Sequence, residues 1–457
     1  MGNMILLKDC YHIVSPEVEN GGHGWDILIE GPTISRLSPE IQVPQHAEVI
    51  DCTHLVVVPG FVNTHHHFFQ TLTRNLPAAQ NAKLFDWLVY HYGVWQHIDE
   101  EAVRLATLIA VGELLKTGCT ATTDHHYLYP RTFTGDLMGI QFEAAARLGI
   151  RFAPSRGSMS RSVKDGGLPP DSVVQTEEEI LRDCERVIER YHDPSSFSMR
   201  RITLAPCSPF SVTPELMKQT ARLARKHGIR MHTHLAETLD EEAYCLEHHG
   251  KRPLELMEEC EFIGPDVFYA HGIFFNDDEL ATLANTGTAV SHCPSSNMRL
   301  GSGIARVREM KDQKVTVALG VDGSASNDSS DFLGEMRNTL LLQRVRYGAD
   351  AISAADIFQM ASMNGARVLG FDTVGTIAAG WAADVAAFNV NRLDYTGALA
   401  DPAAALIFAG ISHQTEYTIV NGRVAVRNGL LTGMDEERIT VEGNAAASRL
   451  LARSTES

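Results

Sequence analysis

Two short stretches concentrate side chains able to do chemistry: THHH at 64–67 and HTHLAE at 232–237. Side chains alternate along a strand, so His65 and His67 share one face and His66 points away. The same alternation pairs His232 with His234. Imidazole nitrogens gathered with one carboxylate oxygen suit zinc or ferrous iron. Either pair alone is a weak signal, because an isolated histidine is more often a hydrogen-bonded core residue. The chemistry therefore depends on whether the two stretches meet.

The elements around them say that they can. Eight short apolar runs, at 56–67, 119–126, 150–157, 201–208, 229–237, 266–272, 287–294 and 315–322, alternate with helical patterns. EEAVRLATLIAVGELLKTG and PELMKQTARLARKHG are such patterns, and AADIFQMASMNGARVLG at 354–370 supplies the eighth. Eight strand–helix units predict an α/β fold with a closed (β/α)8 barrel rather than an open sheet. In such a barrel the C-terminal strand ends converge on one mouth. Those ends carry His65 and His67; Asp124, His125 and His126; Arg156; Cys207; His232, His234 and Glu237; His271; His292 and Cys293; and Asp322. The connections at 76–96 and 157–175 are long for a barrel and are expected to cover the mouth. Short strands precede and follow the barrel, and Asn421–Gly422 is a hairpin signal. The two chain ends are expected to form one small β-sandwich domain (1–58 and 373–457) around the barrel (59–372).

Position at the mouth suggests roles. Glu237 follows His234 by three residues, which carries it over the mouth rather than into a ligand sphere. A carboxylate there can take a proton from an activated water and pass it to a leaving group. Asp322 ends the last strand, beside the first, where it can bind a metal and hold the water. His271 can polarise the group under attack.

The bulk of the sequence excludes other classes. Net charge is −18 over 457 residues, which argues against nucleic acid or an anionic membrane as partner. Hydrophobic residues are 44% and charged residues 21%, normal for a globular enzyme. Eight scattered cysteines without a CxxC pair are expected to be reduced thiols in the cytoplasm. The start, MGNMILLKDC, does not read as a signal peptide, and no apolar run is long enough to span a membrane. A homo-oligomer acting on a small molecule is the expected assembly.

The motifs resemble those of the amidohydrolase superfamily over nearly the whole chain. PGFVNTHHH resembles its first-strand metal motif, HTHLAE its fifth, YAHG its sixth, SHCPSSNMRLGSG its seventh and LGVDGSASND its eighth. The resemblance implies metal ligands His65, His67, His234 and Asp322. It also implies catalytic Glu237, His271 and Asp322, and the branch that deaminates guanine, S-adenosylhomocysteine and cytosine-like rings. The fourth strand ends TLAPCSPF, without the lysine or acid that dinuclear members carry there. One divalent metal per subunit, zinc or iron, is therefore implied, with Cys207 packing as a small apolar residue. Guanine deaminases carry an arginine where Thr203 stands. The loops VNTHHHFFQTLTRNLPAAQNAKLFDWL and SRGSMSRSVKDGGLPPDSVV instead resemble those of the 8-oxoguanine deaminases, which make urate and ammonia. Gln70, Trp87 and Arg156 are the candidate substrate contacts. The alternatives are an isocytosine or triazine aminohydrolase and, more remotely, a scaffold member without activity.

Overall fold

The computed structural model describes residues 4–455. Its centre is a barrel of eight parallel strands. They are β1 (Phe61–Asn63), β2 (Cys119–Thr122, resuming at His125–His126), β3 (Arg151–Phe152, resuming at Ser155–Ser158), β4 (Thr203–Pro206), β5 (Arg230–Leu235), β6 (Val267–His271), β7 (Ala289–His292) and β8 (Val317–Leu319). Each pairs in parallel with the next. The barrel closes through two backbone bonds past the strand ends: Thr64 N–H donates to the Leu319 carbonyl and Asp322 N–H to that of His65, each at 3.0 Å. The expected α/β barrel is the fold observed.

The helices stop and start where their caps dictate. Glu100–Lys116 begins under the Asp99 carboxylate, which accepts from Ala102 N–H. Pro214–His227 begins at Thr213 and ends at Gly228, whose φ of 65° is the left-handed turn a helix C-terminus favours. The eighth helix runs from Ala354 to Leu369 with one π turn, Met360–Asn364, inside it.

The first run expected as a single strand, 56–67, is in fact two. Leu55–Pro59 pairs antiparallel with Val385–Asn389 in the β domain, and only Phe61–Asn63 enters the barrel. The break falls at Gly60, where an added Cβ would lie 2.2 Å from the Thr120 side chain. Both strands are buried on both faces, so no polar residue marks the boundary in sequence.

Both chain ends build the second domain. Met4–Cys10, Trp25–Glu30, Thr33–Ser38 and Glu48–Asp51 form a four-stranded sheet. The other sheet joins N-terminal His12–Ile13 and Leu55–Pro59 to C-terminal Val385–Asn389, Tyr417–Val420, Arg423–Arg427 and Leu430–Leu431. Ile5, Leu7, Ile27 and Ile29 of the first meet Val57, Val385, Ala387 and Ile419 of the second in one apolar core. Asn421 and Gly422 turn the expected hairpin with φ of 51° and 73°. The final 20-residue helix, Glu436–Thr455, lies on the barrel instead of joining a sheet. Its Arg449 and Arg453 pair with Glu101 and Asp99.

A buried ion pair locks the domains together. Arg151 of β3 donates from Nε to Asp384 Oδ2 at 2.6 Å and from a terminal nitrogen to Oδ1 at 3.0 Å. The same terminal nitrogen donates to the Asn421 side-chain Oδ1 at 2.7 Å. Stranding one member of a buried pair costs about 3–5 kcal/mol. Asp384→Ala is therefore expected to lower the urea midpoint followed by circular dichroism, and adding Arg151→Met is expected to recover part of the loss.

Candidate active site

The mouth of the barrel gathers the predicted residues. His65, His67, His125 and His234 bring ring nitrogens within 4.8 Å of one another, and His65, His271 and Asp322 form an overlapping group. His67 Nε2 lies 3.1 Å from His234 Nε2. Asp322 Oδ1 lies 3.3 Å from His65 Nε2 and 3.4 Å from His67 Nε2. His66 points away, as alternation requires, with its Nε2 3.0 Å from the Ser330 hydroxyl.

The outer hydrogen bonds determine where the lone pairs point. His67 Nδ1 donates to the His125 carbonyl at 2.8 Å and His234 Nδ1 to the Cys207 carbonyl at 2.6 Å. A carbonyl only accepts, so each Nδ1 carries the proton and each Nε2 is a bare lone pair. His65 is fixed by a relay. His232 Nδ1 donates to the Phe268 carbonyl at 3.0 Å, which leaves His232 Nε2 to accept from His65 Nδ1 at 2.8 Å. His65 Nε2 is buried with no hydrogen-bond partner. Burial pushes the pKa of His67 down to about 3, and lowers those of His65 and His234, so the rings are neutral. Two bare nitrogens facing each other at 3.1 Å repel unless a cation lies between them. Three neutral imidazoles and one carboxylate, each oriented by a second bond, fit a divalent zinc or iron ion.

The acids differ in state. Burial alone would raise Asp322, yet its carboxyl is held well below the usual range, with His271, the one histidine of the cluster whose pKa is raised, beside it. Burial pushes Glu237 up to about 7, with His271 opposing and Asp322 adding. Burial lowers His271, yet Glu237 and Asp322 more than compensate and raise it. Its Nε2 stands 3.5 Å from Glu237 Oε2 and 3.9 Å from Asp322 Oδ2, while Nδ1 donates to Asn297 Oδ1 at 2.9 Å. Ala236, His271 and Asp322 all have positive φ, of 54°, 71° and 65°. Non-glycine residues are strained there, and such strain gathers at functional sites.

Several supporting residues were not anticipated in these roles. His232 orients His65. Glu241 accepts from the N–H groups of Ala236 and Glu237 at 3.0 and 2.9 Å, which shapes the turn that presents Glu237. Asp124 is buried and accepts from Phe68 N–H at 2.7 Å and from the Gln141 amide, pinning the chain just past His67. His125 stacks on His234 at 4.8 Å with its Nε2 bonded to the Ala205 carbonyl. In sequence, Asp124, His125 and His232 stood out only as polar residues at strand ends, and Glu241 not at all.

A small cavity opens over these groups. Gln70 and Trp87 line it together with Tyr92, Tyr127 and apolar Leu84, Leu88, Phe210 and Leu300. Gln70 sits in the turn Phe68–Thr73, and its Oε1 accepts from Ala325 N–H at 3.3 Å. An added Cβ at Gly323 would fall 1.9 Å from that oxygen, so the glycine makes room for it. The connection at 76–96 supplies the helix Leu84–Trp95 and covers the site as expected. The one at 157–175 contributes no lining residue. Arg156 is a correction. Its side chain is buried away from the cavity, donating to Asp183 at 2.6 Å and Gln175 at 2.8 Å and lying 3.7 Å from the Tyr129 ring centre. An acid on the following helix neutralises it. Cys207 lines the cavity, and burial pushes its thiol up to about 12, so it stays protonated.

Residues 56–425 match the amidohydrolase family model. The chain belongs to the amidohydrolase family. This amidohydrolase is 45% identical to an 8-oxoguanine deaminase of Pseudomonas aeruginosa, over 93% of this chain and 95% of that protein. It is 37% identical to a hydroxydechloroatrazine ethylaminohydrolase of Pseudomonas sp. strain ADP, over 94% and 92%. The structure of an atrazine chlorohydrolase from Arthrobacter aurescens TC1, complexed with zinc, superposes with a TM-score of 0.92. Identity there is 30%, covering 97% of this chain and 100% of that one. Family members bind a divalent metal, and this one has the His/Asp site for it. It is a hydrolase of carbon–nitrogen bonds whose substrate is a small molecule. No helix among the described residues is long and apolar enough to cross a membrane.

The His232 relay is testable directly. His232→Phe keeps the stacking on Phe268, at 4.2 Å, but leaves His65 Nδ1–H without its acceptor. Loss of such a partner typically weakens metal affinity by about 10- to 100-fold. Competition with a chelator is expected to show a loss of that size with the circular dichroism spectrum unchanged.

Proposed function

We propose that this amidohydrolase deaminates 8-oxoguanine to urate and ammonia, with one zinc ion held by His65, His67, His234 and Asp322. The observation that carries this reading is the buried Glu237 carboxyl, 3.5 Å from His271 Nε2 at the rim of the histidine cluster. The 45% identity to an 8-oxoguanine deaminase supports the ring. The absence of a lysine or acid at the end of β4 supports a single ion. Eight buried free thiols support a cytoplasmic location.

When bound, the ion supplies a Lewis acid that makes hydroxide available from water near neutral pH. Glu237 accepts a proton from the water and delivers it to the ring, a task suited to a carboxyl with a pKa of about 7. Water adds at C2, the C2–amine bond breaks, and the amine leaves as ammonia while C2 becomes a carbonyl. His271, held by Asn297, faces the charge that develops at C2. Urate retains the C6 carbonyl, so attack is at C2 and the opposite end of the purine points toward the lid. Gln70 meets the C6 side, and Trp87 stands at the lid end of the cavity.

Glu237→Gln preserves shape but cannot accept and return a proton. We expect it to keep about one metal per subunit by elemental analysis and to lose roughly 10²- to 10⁴-fold in kcat. Two tightly bound ions, or near-normal turnover, would sink this assignment.

Ring choice is read from ammonia release. The purified holoenzyme is expected to turn over 8-oxoguanine with a kcat/KM well above that for guanine, isocytosine, cytosine or hydroxyatrazine. The similarity to a triazine-ring aminohydrolase makes the triazine arm the informative competitor. Preference for that arm would replace the purine reading.

A further inference from the structure

Two residues of the cavity wall carry a buried polar atom that the protein leaves without a partner. Most of the others are already engaged. Gln70 Oε1 takes Ala325 N–H, the Ser208 hydroxyl is 2.7 Å from that of Ser211, and Ser326 donates to the Gly323 carbonyl at 3.0 Å. The Trp87 indole N–H and the Tyr92 hydroxyl have no partner at all, although their residues are only 2% and 1% exposed. Both line the cavity, and both come from the lid helix Leu84–Trp95.

Packing does not explain them. The Trp87 ring lies 4.2 Å from His91 and 5.5 Å from Trp95, and Tyr92 lies 5.9 Å from Trp95. Those contacts use ring surfaces, which a phenylalanine would also supply. A buried donor left unmade is costly, and at a cavity wall a ligand can supply the missing partner. The chemistry of the pair narrows the ligand. An indole N–H can only donate, so it requires an acceptor. A phenol can donate or accept.

We infer that Trp87 and Tyr92 are the specificity element of this site and read an imidazolone edge, a ring carbonyl flanked by N–H groups. The assignment rests on the preceding reading in that the ring is a purine attacked at C2, which turns its five-membered ring toward the lid. Trp87 N–H donates to the C8 carbonyl, and the Tyr92 hydroxyl accepts from an adjacent ring N–H. Guanine has C–H at C8, and its acceptor on that ring is the N7 lone pair to one side, so a donor aimed at the C8 position is left without its partner. A site built around such groups rejects a ring lacking them far more strongly than a purely apolar pocket does.

The test uses Trp87→Phe and Tyr92→Phe in the metal-loaded enzyme, with two kinds of probe. In turnover, each variant is expected to lose roughly 10- to 100-fold in kcat/KM for 8-oxoguanine and markedly less for guanine. In calorimetric binding, urate keeps the C8 carbonyl and xanthine lacks it, and neither carries an amine. The wild type is expected to prefer urate at least about tenfold, and Trp87→Phe to abolish that preference at unchanged thermal midpoint and metal content. Equal loss on both substrates, or a wild type that binds urate and xanthine alike, overturns the inference. A wild type that prefers urate yet does not deaminate 8-oxoguanine overturns the proposed reaction and leaves the edge-reading in place.

Discussion

Two imidazole nitrogens, each with its lone pair forward and 3.1 Å apart, are an arrangement that only a cation makes favourable. Much of the mouth exists to impose it. The carbonyls of His125 and Cys207 each take the Nδ1 proton of a histidine on another strand, and the carbonyl of Phe268 does so through His232. The donors are fixed by backbone of β2, β4 and β6, the stiffest material available. Aspartate 322 adds the countercharge from beyond the last strand. The repulsion is thus built into the barrel, and a bound ion relieves it.

The same economy governs the residues that move protons. Glu237 and His271 lie at the ends of adjacent strands, each beside a residue or at a residue with positive φ, and each is held from behind by a second side chain. Burial sets their states apart from Asp322. Asp322 is held well below the usual carboxylate range, while burial pushes Glu237 up to about 7. Two acids within one cavity therefore have different tasks without differing in kind.

The sequence made the ligand-type residues and the barrel legible because both obey strong periodicities. Alternation separated His65 and His67 from His66, and eight strand–helix units required one mouth. The failures have physical causes. Gly60 divides two strands that are equally apolar, so nothing in composition marks the passage from one domain to the next. Arg156 lies near the end of a strand as the site residues do, but its side chain is held by Asp183, an acid on the helix that follows. The supports, Asp124, Glu241 and Asn297, are ordinary polar residues whose importance lies in what they hold, and that is defined only once the strands are neighbours.

The seam that closes the barrel joins its first strand to its last, and the cation donors straddle it. His65 leaves the ribosome more than two hundred residues before Asp322. A nascent chain can fold helices and pair early strands, since those contacts are local, but loop closure across the whole barrel must wait. A nascent chain that stops short of Asp322 lacks the carboxylate of the cluster, so the full donor set comes together only once the last strand can close against the first.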